Sequence, residues 1–292
     1  MDIQEKKVVH VAMFSGGAGS AYVANHMVKT YGKENCILFF TNTLWEDEDN
    51  YRFMEEVARH VELEITERLD GRTPEEVFYD ERFLGNSRLA KCSEELKVRQ
   101  TILFLDDELR NQKNLEPILY FGIGPHEKQR AVNLKEFYEH RPIEPIETRF
   151  PLIELFREDL DAKGIIRDEW GIDLPRMYNI AEQLAEKENN ENAKLALKYG
   201  IKGFSHANCA GRCVRGGFQH YALLYSIWPE RYREQEEMEE RFRADFKKDV
   251  SILKKDGSSY TMKEFREVME REGFEKFLFK ADADIPCVCS FS

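Results

Sequence analysis

The chain has 292 residues, of which 42% are hydrophobic, and a formal net charge of −12. This length supplies one sizeable core, or one core with a smaller appendix, and the 20 Phe, 12 Tyr and 3 Trp residues exclude a disordered chain. The acidic balance disfavours broad nonspecific binding to DNA or membranes, whose negative charge it repels, although it leaves room for a local basic patch.

The first 150 residues alternate between apolar runs and amphipathic segments. Strands are predicted from KKVVHVAMF, CILFFTNT, LEITERL and PILYFGIG, and helices over residues 20–32, 47–61, 74–85 and 93–111. The first helix closes at Gly32, a plausible C-cap. This order predicts an α/β fold, a doubly wound parallel sheet with helices on both faces, as the domain 1–150.

After about residue 140 the pattern changes. Residues 141–156 hold three of the nine prolines and are expected to be extended, whereas residues 157–166, 173–200, 222–246 and 261–272 are expected to be helical. Pro229 is expected near a helix start or a kink. We therefore predict a mainly helical region, 151–292, that contains a cysteine cluster and packs on the sheet domain.

A glycine-rich turn, FSGGAGS, separates the first strand from the first helix. In a doubly wound sheet this is the carboxyl end of a strand, where ligands bind, and backbone N–H groups at a helix N-terminus can hold a phosphate. The turn matches neither G-x-G-x-x-G nor the Walker A pattern, because no lysine follows Gly19. A structural turn without a ligand is the alternative.

The spacing S-G-G-x-[DG]-S resembles the PP-loop of the ATP pyrophosphatase superfamily, which includes sulfate-assimilation and tRNA-thiolation enzymes. The usual pattern is S-G-G-x-D-S, and Gly19 stands where the aspartate should be. This departure leaves open altered ATP cleavage or a different nucleotide. The resemblance implies that the nucleotide-binding residues of the loop are Phe14, Ser15, Gly16, Gly17, Gly19 and Ser20.

Later segments extend the resemblance to the branch of phosphoadenosine phosphosulfate (PAPS) reductase-like proteins. Residues 39–49 match the end of the superfamily's second strand, which contacts adenosine. GNSRLAKCSEELKVR resembles the branch's C-S-x-x-L-K segment, and LYFGIGPHEKQRA resembles its G-[IV]-x-x-x-E-x-x-R segment. The branch also has segments similar to PLIELFREDL, residues 204–224 and the terminal CVC. The resemblance implies nucleotide binding by Thr41, Asn42, Thr43, Gly122 and Glu127, and catalytic roles for Cys92, Lys97 and Arg130.

Charged residues in these segments suit a nucleotide with Mg²⁺. Lys97, Arg88 and Arg130 can neutralise phosphate charge. The acidic group from Glu46 to Asp49 could hold Mg²⁺, although acids also suit a helix N-terminus. For Glu127 and Arg130 the alternative is a surface ion pair.

Five of the six cysteines are candidates for a metal or redox site: Cys92, Cys209, Cys213, Cys287 and Cys289. Thiolates bind Zn²⁺ and iron–sulfur clusters, but C-x3-C and C-x-C are not standard ligand spacings. Some tRNA-thiolation enzymes hold a [4Fe–4S] cluster with three cysteines, a part that the first three could play, with the terminal pair as a redox or persulfide relay. The alternatives are four cysteines around one Zn²⁺ or one iron–sulfur cluster, a terminal cysteine that resembles the swinging nucleophile of PAPS reductases, and reduced structural thiols.

The remaining candidates have mainly structural interpretations. Cys36 lies inside the second strand and is expected to be a small core residue. His206 and His220 flank the first cysteine pair and are expected to be structural rather than ligands. Arg212 and Arg215 could form an anion site for a polynucleotide or sulfonucleotide, or a solvated loop.

Three functions remain open. The first is an ATP-dependent enzyme that adenylylates a substrate, coupled to sulfur transfer onto a nucleobase in tRNA or DNA, with a sulfur-donor protein as partner. The second is a sulfonucleotide reductase that acts on PAPS or its precursor, and the third is a nucleotide-binding accessory protein with structural zinc. No apolar run approaches the ~18 residues of a membrane span and MDIQEKK is not a signal peptide, so we expect a cytoplasmic protein without membrane contact. The acceptor, the metal and the oligomeric state, a homodimer included, are left open.

Overall fold

A five-stranded parallel sheet forms the centre of the fold. The computed structural model describes residues 6–86, 89–140, 144–155 and 160–278. The strands are β1 (Lys7–Met13), β2 (Cys36–Asn42), β3 (Ile65–Leu69), β4 (Leu115–Phe121) and β5 (Glu147–Arg149), in the spatial order β3-β2-β1-β4-β5. The predicted α/β class with a parallel sheet is confirmed, and β5 adds a short strand within the segment expected to be extended.

Helices follow the strands and fill the C-terminal half. They are α1 (Ala18–Tyr31), α2 (Glu48–Val61), α3 (Pro74–Asp80), α4 (Lys91–Ser93), α5 (Arg99–Ile102), α6 (Lys128–His140), α7 (Pro151–Glu154), α8 (Ala162–Gly164), α9 (Ile180–Lys187), α10 (Glu191–Lys198), α11 (Phe218–Ile227), α12 (Pro229–Phe246) and α13 (Met262–Glu272). Residues 91–112 form one helical segment, which we call the mixed helix, because π turns (Glu94–Val98 and Leu103–Gln112) adjoin α4 and α5. No helix in these described ranges is long and apolar enough to span a bilayer.

The sheet buries both faces, as a doubly wound fold requires. Along β1, Ala12 joins the core beneath α1 and α2, whereas Val11 and Met13 join the core beneath the mixed helix and α6. Strands β1 and β4 pair over their full length, so that Met13 lies beside Phe121. The loops that follow these two strands therefore emerge side by side at the carboxyl edge.

A third core belongs mainly to the C-terminal half. Most of its residues lie between Met177 and Leu278, α11–α13 included, and Trp45 and Phe78 from the first half of the chain are buried in it as well. By contrast, Ile166 and Ile172 pack with the sheet core. Each half of the chain thus contributes apolar side chains to the core of the other half. These contacts hold the C-terminal half on the sheet and bring its loops over the carboxyl edge of the strands.

The helix predicted over residues 173–200 is interrupted. α9 and α10 form an antiparallel pair, separated by Asn189 in the left-handed region (φ 54°) and by Asn190, whose side chain caps α10. The chain leaves and re-enters the core at one point, because Phe204 N–H donates to the Met177 carbonyl oxygen at 2.7 Å. We call residues 179–203 the α9–α10 hairpin.

Candidate functional site

The glycine loop connects β1 to α1, as predicted. Gly16 has φ 75°, a conformation that favours glycine, and a Cβ there would lie 2.6 Å from the Asn50 side-chain nitrogen. The Ser20 hydroxyl donates to the Gly17 carbonyl oxygen at 2.9 Å and lies 3.4 Å from the Ser15 hydroxyl. These contacts hold the loop compactly at the N-terminus of α1, where backbone N–H groups favour an anion.

A cavity of about 380 Å³ opens beside this loop. Seven of the residues predicted for the nucleotide site line it: Ser15, Gly17, Gly19, Ser20, Gly122, Glu127 and Arg130. They come from the loop and the first turn of α1 that follow β1, and from the loop and the first turn of α6 that follow β4, which the sheet order makes neighbours. The cavity therefore lies at the carboxyl ends of the strands, where ligands bind in this architecture.

The structure accounts for glycine at position 19. A Cβ on Gly19 would lie 2.6 Å from the Gly122 carbonyl oxygen and 3.3 Å from a Leu152 methyl carbon. The two loops thus touch through their backbones, and a side chain at position 19 would meet the second loop. The departure from S-G-G-x-D-S is part of the packing between these loops.

Restoring the aspartate is therefore expected to damage the site. We predict that Gly19→Asp weakens adenine-nucleotide binding at least about tenfold and destabilises the fold by about 1–3 kcal/mol, because the new side chain overpacks a backbone contact. Calorimetric titration with ATP and urea unfolding measure the two effects. Stronger binding or new ATP cleavage by the variant would contradict this interpretation of the loop.

Glu127 and Arg130 form an ion pair on the cavity wall. Arg130 Nη1 lies 2.8 Å from Glu127 Oε1, and the side chains are 15% and 22% exposed. The pair is thus partly buried and lines the cavity, unlike a fully solvated surface pair. In this position the guanidinium can face a phosphate while the carboxylate orients it.

Lys163 and Tyr178 are among the cavity residues that sequence reasoning missed. The Ala18 N–H, at the start of α1, donates to the Tyr178 hydroxyl at 3.3 Å, and the Lys163 ammonium lies 3.9 Å from the Tyr178 ring centroid. Burial lowers the pKa of Lys163, with Asp161 opposing. An anion at this amide would compete with the tyrosine hydroxyl and gain a nearby ammonium. Both residues lie over 140 positions from the loop, and no motif marks them.

The residues predicted from the end of β2 lie apart from the cavity. Thr41 lines a small pocket with Phe14, Ser15 and Lys97. Thr43 lines a second small pocket, which Cys92, Cys209 and Cys213 also border. The Asn42 side chain is engaged structurally, since its nitrogen donates to Glu67 at 2.6 Å and its oxygen accepts from Tyr51 at 2.8 Å. Gly16 is buried against Asn50.

In the acidic group from Glu46 to Asp49, Asp47 has structural partners, and the Mg²⁺ site there stays a prediction, since no group of three or more His, Cys, Asp or Glu side chains in the described ranges is arranged to hold a metal ion. Asp47 has a fully buried side chain, caps α2 and is paired with Arg176 at 2.7 Å and with Arg231 at 3.0 Å. Burial opposes its ionisation, but the hydrogen bonds from the two guanidiniums hold the pKa of Asp47 below its usual value. The group ties the end of β2 to the C-terminal half.

Three predicted cysteines line one small apolar pocket. Cys92, Cys209 and Cys213 border it together with Trp45 and the buried Lys97. Lys97 also borders the pocket of Ser15 and Thr41. The pocket of the three cysteines, which we call the thiol pocket, and the pocket beside the glycine loop therefore share Lys97, while the catalytic roles of Lys97 and Cys92 stay predictions.

Cys209 lies in a strained turn, which we call the thiol turn (Cys209–Gly211). All three residues are left-handed, with φ of 58°, 49° and 81°. Each non-glycine residue costs roughly 1–2 kcal/mol in this conformation, so surrounding bonds must hold it. Glu46 accepts the Cys209 N–H at 3.0 Å, and Arg231 donates to the Ala210 carbonyl at 3.1 Å.

His220 supports the same turn, which agrees with its predicted structural role. Its Nε2 lies 2.7 Å from the Gly211 carbonyl oxygen, so this nitrogen carries the proton and donates. Burial lowers the pKa of His220 to about 4, against a raising effect of the Gly211 bond. His206, which lines the main cavity, stacks on His220 with ring centroids 5.9 Å apart.

We expect His220 to make stability depend on pH. Below the ordinary pKa of 6.5 the unfolded chain binds a proton that the folded chain does not, so stability falls as the pH drops from 6.5 towards 4. In urea unfolding, the wild type should lose about 1–2 kcal/mol more than His220→Gln between pH 7 and pH 5. Parallel curves for the two proteins would show that His220 stays unperturbed.

The structure covers only part of the cysteine set that was predicted to hold a metal. Cys92, Cys209 and Cys213 share a pocket, yet no group of three or more His, Cys, Asp or Glu side chains in the part of the chain that the structure describes is arranged to hold a metal ion. Cys287, Cys289 and Arg88 lie outside the described residues. Cys36 is a buried core residue, as predicted, and burial raises its pKa to about 11.

Comparison with known proteins adds no assignment. No protein-family model matches the chain, and no curated protein matches it either. The candidate site therefore rests on its geometry and on the motifs that line it.

Proposed function

We propose that this chain is a PP-loop-type, ATP-binding enzyme that activates a substrate by adenylylation and couples this step to sulfur transfer onto a nucleobase. The observation that carries the proposal is the shared cavity of the glycine loop, Gly122 and Arg130, placed next to the thiol pocket. A phosphate chain at the loop would have the α1 amides, Arg130 and Lys163 as partners.

The arrangement suggests a division of labour. The cavity would hold the nucleotide, and adenylylation would convert a carbonyl oxygen of the base into a leaving group. A sulfur nucleophile would then displace AMP, so that the C–O bond breaks as the C–S bond forms. Cys92, in the wall of the thiol pocket beside Lys97, is the proposed sulfur carrier. The sulfur would sit on Cys92 as a persulfide whose outer sulfur attacks the base. Cys209 or Cys213 would then break the S–S bond by forming a disulfide with Cys92, and an external thiol would reduce this disulfide before a sulfur-donor protein delivers the next persulfide sulfur.

Zinc or an iron–sulfur cluster remains part of the proposal. Its ligands would be Cys92, Cys209 and Cys213, with Cys287 and Cys289 as further candidates. Anaerobic purification followed by visible absorption and metal analysis tests this. Bound iron and sulfide would support a cluster, one Zn²⁺ per chain would support structural thiols, and absence of both would favour free thiol chemistry.

The functional test compares Cys92→Ala with Cys36→Ala. Each protein receives Mg–ATP, unmodified tRNA or DNA, and radiolabelled sulfur from cysteine through a cysteine desulfurase; AMP and labelled nucleic acid are measured. We expect Cys92→Ala to lose sulfur incorporation at least about 100-fold, because the covalent carrier is gone, while ATP still binds. Cys36→Ala, altered only in the sheet core, should keep both. Full activity of Cys92→Ala would eliminate the sulfur-carrier role.

A sulfonucleotide reductase is the second candidate. It is favoured by the packing of Gly19 against Gly122, which builds the loss of the motif aspartate into the fold, since a reductase need not cleave ATP. A cysteine would attack the sulfate sulfur of the sulfonucleotide, so that the S–O bond breaks and the nucleotide leaves from its phosphate. A thiol reductant would then attack the resulting S-sulfocysteine, which releases sulfite as a disulfide forms. Sulfite release from PAPS, without AMP formation from ATP, would favour this reaction over adenylylation.

A further inference from the structure

Glu46 lies between the glycine loop and the thiol turn. It is 8% exposed and lies in the loop between β2 and α2. Its Oε2 accepts the Cys209 N–H at 3.0 Å and lies 3.4 Å from the side-chain nitrogen of Asn50. A single buried carboxylate oxygen is therefore shared by the backbone that carries a candidate thiol and by the first turn of α2.

Asn50 extends this contact to the glycine loop. It is fully buried, and its side-chain nitrogen and oxygen would lie 2.6 and 2.7 Å from a Cβ on Gly16. The amide thus fills the space that a side chain at position 16 would need. Movement of the loop towards α2 must displace the Asn50 amide, and this amide contacts Glu46.

Two features make this path responsive. Asn50 Oδ1 is buried and has no hydrogen-bond partner among the described residues, a state that costs about 1–3 kcal/mol and favours any rearrangement that brings a donor to it. The thiol turn stores strain in Cys209 and Ala210, so weakening the Glu46 bond favours its relaxation. A small displacement of the glycine loop can therefore change the conformation of the thiol turn.

We propose that Asn50 and Glu46 couple occupancy of the glycine loop to the position of the Cys209 thiol. Glu46 is a positioning residue: it acts through the Cys209 backbone and touches neither nucleotide nor substrate. Binding at the loop changes the reactivity of Cys209, so that the thiol and the nucleotide act in sequence. This coupling rests on the proposed function in one respect, that an adenine nucleotide occupies the loop.

The test measures alkylation of Cys209 by iodoacetamide, read by peptide mass spectrometry, with and without saturating non-hydrolysable ATP analogue AMPPNP. Calorimetry measures AMPPNP binding by the same full-length proteins. In the wild type we expect the analogue to change the Cys209 rate at least about fivefold, the lower end of ordinary couplings. Cys36, in the sheet core, is the internal reference, and its rate should not change.

Two variants separate coupling from folding. Glu46→Gln keeps the shape but weakens the bond to Cys209, and Asn50→Ala keeps that bond but removes the contact with Gly16. In both, AMPPNP should still bind within about threefold of wild type, while its effect on Cys209 falls below about twofold. Without nucleotide, Cys209 of Asn50→Ala should be alkylated at the wild-type rate, and a merely structural defect would change that rate.

The failures are distinguishable. Binding of AMPPNP to the wild type without any change at Cys209 would overturn the coupling and leave the nucleotide site standing. An undiminished effect in both variants would overturn the route through Glu46. No binding of AMPPNP to the wild type would overturn the proposed function, and the coupling with it.

Discussion

Gly122→Ala is expected to abolish measurable nucleotide binding and to destabilise the protein by about 2–3 kcal/mol. A Cβ at this position would lie 2.5 Å from the Gly19 carbonyl carbon and closer still to the Ser20 nitrogen. These atoms belong to the backbone, so no side-chain rotation relieves the clash. The loop after β4 must move away from the glycine loop, which changes the shape of the cavity that both loops line.

Gly124→Ala is the matched control. It adds the same methyl group two residues later, where a Cβ would meet no atom within 4 Å. Its stability and ATP affinity should equal those of the wild type, to within about 0.5 kcal/mol for unfolding. Urea unfolding and calorimetric titration give both quantities. Equal behaviour of the two variants would show that the contact between the loops is not needed.

Asp47→Asn is expected to lower the free energy of unfolding by about 3–5 kcal/mol, because it breaks a buried ion pair and leaves two guanidiniums without their counter-ion. The carboxylate is wholly buried and bonded to Arg176 and Arg231. Arg231 also holds the thiol turn through the Ala210 carbonyl. We therefore expect Cys209 to be alkylated faster in this variant, even under conditions where the sheet remains folded.

Asp168→Asn is the control for Asp47→Asn. Asp168 pairs with Arg167 at 2.7 Å, but both side chains are about 60% exposed. An exposed pair contributes little, so this variant should lose no more than about 1 kcal/mol and leave Cys209 unchanged. A cost for Asp47→Asn as small as that of the control would mean that the two arginines find other partners.

The sheet and the position of the candidate site at its carboxyl edge could be predicted, because short stretches of sequence specify the strands and the turn between β1 and α1. The runs VVHVAM and ILYF are continuous and apolar, as buried parallel strands require, and the turn after β1 announces the loop by its glycines. The pairing of β1 with β4 then follows from topology, and it brings Gly122 and Arg130 to the loop.

The other half of the site is set by contacts between distant parts of the chain. Asp47 reads as an ordinary acid at the start of a helix, and only the fold reveals Arg176 and Arg231, 129 and 184 residues away. Lys163 and Tyr178 have the same character. No local pattern specifies such partners, because the tertiary packing of the C-terminal half decides which charges meet.

One missed element did carry a local signal. Strands Leu253–Lys255 and Ser258–Tyr260 form a hairpin across Asp256 and Gly257, both with positive φ. Asp-Gly is a favoured pair for the tight hairpin turn. The flanking residues LKK and SSY are short and mostly polar, so the alternation that usually supports a strand prediction is absent.

The closed ends of the α9–α10 hairpin have a consequence for how such a protein can vary in length. Tyr178, before the hairpin, and Ser205, after it, line the same cavity because the Phe204–Met177 bond joins the two ends. Where the ends of a segment meet, each doubling of its length costs only about 0.6 kcal/mol in loop entropy. Residues can therefore be inserted into the hairpin at little cost in free energy, which changes the number of residues between Tyr178 and Ser205 but not the distance between them in the cavity.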